Sequence, residues 1–118
     1  MQNLLAKFYP YVEPTTTIRL TLSNTKLTED SYLEITPNND GTVTLSGEIT
    51  STEIQTGTPT LVSSGGIPTE YRPKSTVTFD VEQTAGTFRT MTINTNGSIT
   101  ISAMSMNTYI IVNKTYTC

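Results

Sequence analysis

Strict two-residue alternation is the feature that most limits what this chain can become. In Thr17-Ile18-Arg19-Leu20-Thr21-Leu22 the apolar residues share one face and Arg19 with Thr21 the other; Thr76-Val77-Thr78-Phe79-Asp80-Val81 repeats the pattern. A period of two puts one face of a strand on a core and leaves the other in water. Threonine fills about a fifth of all positions, and its β-branch suits a pleated strand while its hydroxyl keeps the outward face wet.

Further strands follow along the chain. Ser31-Tyr32-Leu33-Glu34-Ile35 and Thr42-Val43-Thr44-Leu45-Ser46 flank Asn38-Asn39-Asp40-Gly41, where Asp40-Gly41 reads as a hairpin turn needing positive φ. Gly47 interrupts the second run before Glu48-Ile49-Thr50, which predicts a bulge or a close backbone approach. Residues 55–66 are turn-rich around the apolar pair Leu61-Val62 and allow one short strand. Asn96-Gly97 between Arg89–Thr95 and Ser98–Ile101 predicts a tight type I′ hairpin. Thr108-Tyr109-Ile110-Ile111-Val112-Asn113 is apolar on both faces, as in a strand covered by the core and by a neighbouring subunit. About eight strands without a helix-length 3.6-residue period predict an all-β antiparallel sandwich or jelly roll. Helix is confined to one turn near Asn3–Lys7.

At 118 residues one domain is expected, because two cores would each be too small to offset chain entropy. Residues 1–16 read as an N-terminal linker or subunit-contact segment, with Phe8, Tyr9 and Tyr11 around Pro10 available to pack on another subunit. Cys118 has no partner for an internal disulfide. A small core without staples favours self-association.

Chemistry is narrowed as much by what is missing. With no histidine, the commonest general base and imidazole metal sites drop out. A net charge of −3 lacks the basic surface that nucleic acid requires. No run of about 18 apolar residues spans a membrane, and the opening residues lack the pattern of a signal peptide. Two of Glu34, Glu48, Glu53, Asp80 and Glu82 would suffice for glycosidase chemistry, but carboxylates on solvated strand faces are the default. Asn38–Gly41 offers oxygen ligands, yet calcium needs six to eight and a plain turn is the simpler reading. Asn96-Gly97-Ser98 and Asn113-Lys114-Thr115 match the glycan acceptor pattern, which a threonine-rich chain produces by chance. The expectation is therefore no enzyme, no cofactor and no metal. Tyrosines and asparagines near loop ends, namely Tyr32, Asn38, Asn39, Asn107 and Tyr109, are the candidate ligand contacts, since ring stacking with amide hydrogen bonds suits a neutral sugar.

The segment Gly66-Ile67-Pro68-Thr69-Glu70-Tyr71-Arg72-Pro73-Lys74 resembles the Leu/Ile-Pro-x-x-Tyr-Arg-Pro signature of carboxy-terminal head domains in bacteriophage tail-fibre and baseplate receptor-binding proteins. The flanks are similar too: Gly41-Thr42-Val43-Thr44-Leu45-Ser46-Gly47 lies ahead, and Val77–Val81, Gly86 and Ile93–Ile101 follow. The resemblance covers residues from about 41 to 118. It implies a jelly-roll-like, trimeric sandwich on a virion, whose exposed end or subunit clefts bind a host cell-surface saccharide or protein, with other virion proteins as neighbours. The signature itself, Gly66, Ile67, Pro68, Tyr71, Arg72 and Pro73, reads as a rigid corner: the prolines fix φ, Tyr71 supplies a ring to bury, and Arg72 is given a structural partner before a ligand. Such heads commonly end a longer fibre, whereas no shaft or heptad repeat is present here. The chain is then an excised head or a short virion protein. The alternative is a non-catalytic structural component of the virion: a capsid decoration, head fibre or baseplate protein.

Overall fold

The computed structural model describes residues 16–84 and 86–118, so the helical turn expected near Asn3–Lys7 and the contacts expected of Phe8, Tyr9 and Tyr11 lie outside the described residues. Among these residues eight strands follow in chain order: β1 (Ile18–Arg19), β2 (Tyr32–Pro37), β3 (Thr42–Thr50), β4 (Thr60–Val62), β5 (Val77–Thr84), β6 (Thr87–Ile93), β7 (Ile99–Ile101) and β8 (Tyr109–Thr117). One short 3-10 turn spans Thr69–Tyr71. The strands form two antiparallel sheets, ordered β1-β2-β3-β8 and β4-β7-β6-β5. In the second sheet, consecutive β5, β6 and β7 are joined by hairpins while β4 lies beside β7, which is a Greek key read backwards along the chain.

Alternation fixes which side chains face inward. Leu33, Ile35, Val43, Leu45, Ile49, Ile110 and Val112 of the first sheet meet Leu61, Val62, Met91, Ile93, Ile99 and Ile101 of the second in one buried cluster. Burying each such side chain is worth roughly 1.5–3 kcal/mol. Threonine explains the outer faces. On the first sheet Thr36, Thr44 and Thr115 stand in one cross-strand row, extended by the Thr17 hydroxyl 3.0 Å from that of Thr36. The second sheet has a matching row of Thr78, Thr92, Thr100 and Thr60.

Several expectations are refined. The first alternating run is hydrogen-bonded as a strand over Ile18–Arg19 only, with one further bond from Leu20 N–H to the Leu33 carbonyl. Of the two outcomes expected at Gly47, the close approach is the one found: the ladders of β3 run in unbroken register through it, and a Cβ there would lie 2.1 Å from the Tyr32 carbonyl oxygen. The Asn96-Gly97 turn is not type I′. That turn needs positive φ at two consecutive residues, and here Gly97 has it while Asn96 does not. Instead Asn94 and Ser98 close a three-residue loop, with Asn94 N–H donating to the Ser98 carbonyl and Gly97 N–H to the Asn94 carbonyl. The other hairpin differs in the same way, with positive φ at Asn39 and Gly41 rather than Asp40. There Asp40 turns its carboxylate onto the Thr42 N–H, 3.0 Å away, and the Thr42 hydroxyl.

The segment from Gly66 to Pro73 packs as a corner at one end of the sandwich. Ile67 is fully buried and its N–H donates to the Gly97 carbonyl. The Arg72 Nε–H donates to the Ile67 carbonyl at 2.8 Å, lying so close over Gly97 that a Cβ there would meet it at 2.8 Å. The Tyr116 hydroxyl donates to the Tyr71 carbonyl at 2.6 Å.

Candidate functional site

The strand directions sort the connections into two ends. The corner, the Asn38–Gly41 hairpin, the 94–98 turn and Cys118 sit at one end. Residues 23–31, 51–59, 102–108 and the turn between β5 and β6 sit at the other. The candidate contacts separate accordingly. Tyr32, Asn107 and Tyr109 lie at the second end, while Asn38 and Asn39 lie about 20 Å away along β2, at roughly 3.3 Å per residue. The five do not form one site. Asn38 is occupied structurally, its amide donating to the Thr42 and Thr44 hydroxyls at 3.1 and 2.9 Å.

Four of the five large apolar side chains exposed among the described residues, Ile54, Phe88, Met106 and Tyr109, are at the second end, and Ile111 follows one outward position along β8. Phe88 is exposed at the same end on the outer face of the second sheet, paired with Glu82. Tyr109 and Ile111 are 58% and 62% exposed, on the outer face of the first sheet opposite Thr50 and Glu48. Tyr32 completes the Glu48–Ile111 row. Its ring carries the Arg19 guanidinium 4.5 Å from its centroid, while Arg19 also pairs with Glu34 at 3.3 Å. One face of Tyr32 is thus already covered, and Tyr109 presents the more open ring.

These apolar groups stand on braced loops. Gln55, nearly buried, donates to the Ser51 hydroxyl at 2.8 Å and accepts from the Asn24 amide at 2.8 Å. Its backbone pairs in both directions with Met104. On the other side buried Gln83 donates to the Ser105 carbonyl at 3.2 Å and to the Thr108 hydroxyl at 2.8 Å, and accepts from Arg89 Nε–H at 2.9 Å. Arg89 then reaches the Ser105 hydroxyl at 3.0 Å. Both glutamines use their amide as donor and acceptor at once, and no buried side-chain polar atom among the described residues lacks a partner while three segments are locked together. Among the described residues, two of the three non-glycine residues with positive φ, Thr58 (59°) and Asn107 (57°), are in these loops, a conformation that costs a β-branched threonine most. A rigid platform bearing exposed apolar side chains loses little entropy when it is covered.

The acidic residues are dispersed. Glu34 is paired with Arg19 and Glu53 with Lys26 at 3.1 Å, while Asp80 and Glu82 face out from the second sheet. Among the described residues no three acidic or cysteine side chains gather as metal ligands. Sequence reading missed Ile54, Met106, Gln55 and Gln83. The first two lie outside any alternating run, and nothing in a sequence marks a glutamine that braces loops from one that faces water.

No protein-family model matches this chain, and no curated protein matches it.

Proposed function

We propose that this protein is a non-catalytic adhesion head of a bacteriophage virion, assembled as a homotrimer, that holds a saccharide or protein of the bacterial surface at its braced loop end. The observation that carries the reading is the exposure of Ile54 and Met106 on loops fixed by Gln55 and Gln83, with Tyr109 and Ile111 exposed on the adjoining start of β8. Binding residues concentrate on loops held by a rigid scaffold, and exposed apolar patches of this kind mark interaction surfaces. Tyr109 contributes an open ring and Asn107 an exposed amide at the same rim, the pairing that suits a neutral sugar. The virion and the trimer rest on the resemblance of the Ile67–Pro73 segment to tail-fibre heads. The jelly-roll-like description of the head rests on that resemblance and on the Greek-key order of the second sheet.

A structural virion protein is the second reading, favoured by the aliphatic character of Ile54, Met106 and Ile111, which suits a protein neighbour better than a polyol. The test mixes fluorescently labelled protein with candidate bacterial cells and their extracted wall polysaccharides, recording its mass in solution. Saturable binding competed by the extract supports the adhesion head. An oligomer that binds no cells moves the reading to a structural component.

A further inference from the structure

We infer that the loop end takes a saccharide bearing free amino groups, one ammonium lodging between the Tyr109 ring and the Glu48 carboxylate. This ligand chemistry rests on the adhesion reading above and sharpens it.

Charge separates the two ends of the molecule. At the corner end Arg72 and Lys74 balance Asp40 and Glu70, and along the middle of the strands Arg19 and Lys114 balance Glu34 and Asp80. At the loop end Glu29, Asp30, Glu48, Glu53 and Glu82, all exposed, stand against Lys26 and the half-buried Arg89. With Lys7 and Glu13 cancelling in count, the chain's whole net charge of −3 falls at that end. Lys26 is taken by Glu53 at 3.1 Å, and Arg89 is turned onto Gln83 and Ser105. The remaining carboxylates border the apolar side chains. Glu48 is opposite Ile111 and Glu82 is opposite Phe88. The turn holding Glu29 and Asp30 is tied by the Thr28 N–H to the carbonyl of Thr50, the residue opposite Tyr109. A surface of one sign attracts the opposite charge and repels its own over a Debye length of about 8 Å at physiological salt, so an anionic polymer is disfavoured here.

The same sheet shows how such a cation is held. On its outer face the Arg19 guanidinium lies 4.5 Å from the Tyr32 ring centroid and 3.3 Å from the Glu34 carboxylate, so ring and carboxylate share one positive charge. Across the β3–β8 ladder, Glu48 opposite Ile111 and Tyr109 opposite Thr50 are diagonal neighbours, a spacing of roughly 7–8 Å that aromatic and long side chains bridge. Tyr109 is 58% exposed, and among the described residues no side-chain cation pairs with Glu48. The ring-and-carboxylate pair thus recurs beside the loops with no cation of the protein's own. The Tyr109 ring and the Asn107 amide suit sugars in general; the carboxylate selects a sugar with an ammonium over a neutral or acidic one.

The test titrates the full chain with a glucosamine oligosaccharide, its N-acetylated counterpart and oligolysine, at low and at raised salt. Glu48→Gln and Tyr109→Ala are compared with Glu70→Gln, a control at the corner end; all three positions are exposed, and thermal melts confirm that each variant folds. The glucosamine oligomer is expected to bind about tenfold or more tighter than the acetylated one, and to weaken as salt is added. Glu48→Gln and Tyr109→Ala should each weaken it about threefold or more, with Glu70→Gln within error of wild type. Acetylated oligomer bound as tightly, or equal loss in all three variants, would overturn the inference. Binding of oligolysine alone would also overturn it, in favour of a basic protein. Saturable cell binding competed by a neutral or acidic wall fraction would overturn the amine and keep the adhesion reading, whereas no binding of cells or of either oligosaccharide would overturn both.

Discussion

The Tyr116 hydroxyl donates a 2.6 Å hydrogen bond to the backbone carbonyl of Tyr71, tying the last strand to the corner formed by Ile67, Pro68 and Arg72. Burial, helped by neighbouring Cys118, holds that hydroxyl far above the ordinary tyrosine range.

Replacing Tyr116 with Phe removes this bond and leaves a carbonyl unpaired, so the variant should lose about 1 kcal/mol of stability. The pH dependence has a definite sign. The folded state favours the neutral hydroxyl, so the stabilisation is full below the ordinary tyrosine pKa of 10.0 and declines as pH rises above it, because the unfolded chain ionises first. Denaturant titrations across the alkaline range should show a steeper decline for wild type than for Tyr116→Phe.

Gly47→Ala should be among the most damaging single changes. Gly47 has φ near 151° and its missing Cβ would meet the Tyr32 carbonyl oxygen at 2.1 Å, a backbone atom that cannot step aside without parting β2 from β3. A loss of about 3 kcal/mol or more is expected, read as a fall in the midpoint of thermal or denaturant unfolding.

Gln83→Leu keeps the volume but abandons the Ser105 carbonyl, the Thr108 hydroxyl and Arg89. The expected cost is about 2–3 kcal/mol, with faster amide exchange in residues 102–108 and little change at the Asn94–Ser98 turn. Uniform acceleration throughout the chain would mean that the brace is merely part of the global fold.

Asp40 lies at the opposite end, fully exposed, with its pKa lowered by the hydrogen bonds it accepts from the Thr42 hydroxyl and N–H. A depressed carboxyl stabilises the hairpin above its unfolded pKa and loses that contribution as pH falls through the folded value. NMR titration should show Asp40 protonating below the ordinary carboxylate range, with the Thr42 amide shifting in step. Asp40→Ala should remove that step.

The alternating runs around Val43, Leu45, Val77, Phe79 and Ile99 located the strands because inward position alone decides burial in a sandwich. The turns were harder to read. Asn96-Gly97 and Asp40-Gly41 name a glycine that needs positive φ, but loop length is set by the register of β2 with β3 and of β6 with β7, which no local pair of residues encodes. The candidate contacts fall at two ends. Tyr109 and Asn107 stand exposed at the loop end, whereas Asn38 turns inward to serve the Thr42 and Thr44 hydroxyls. Ile54 and Met106 join Tyr109 through the bridges of Ser51 to Met106 and Gln55 to Met104, long-range pairings that depend on the whole topology.

Amide hydrogen exchange of the full chain, measured alone and with a bacterial surface extract it binds, tests the working end most directly. New protection is expected in residues 51–58 and 104–111, with Asn38–Gly41 and the Ile67–Pro73 corner unchanged. Protection confined to that corner and hairpin, with the loop end untouched, would contradict it.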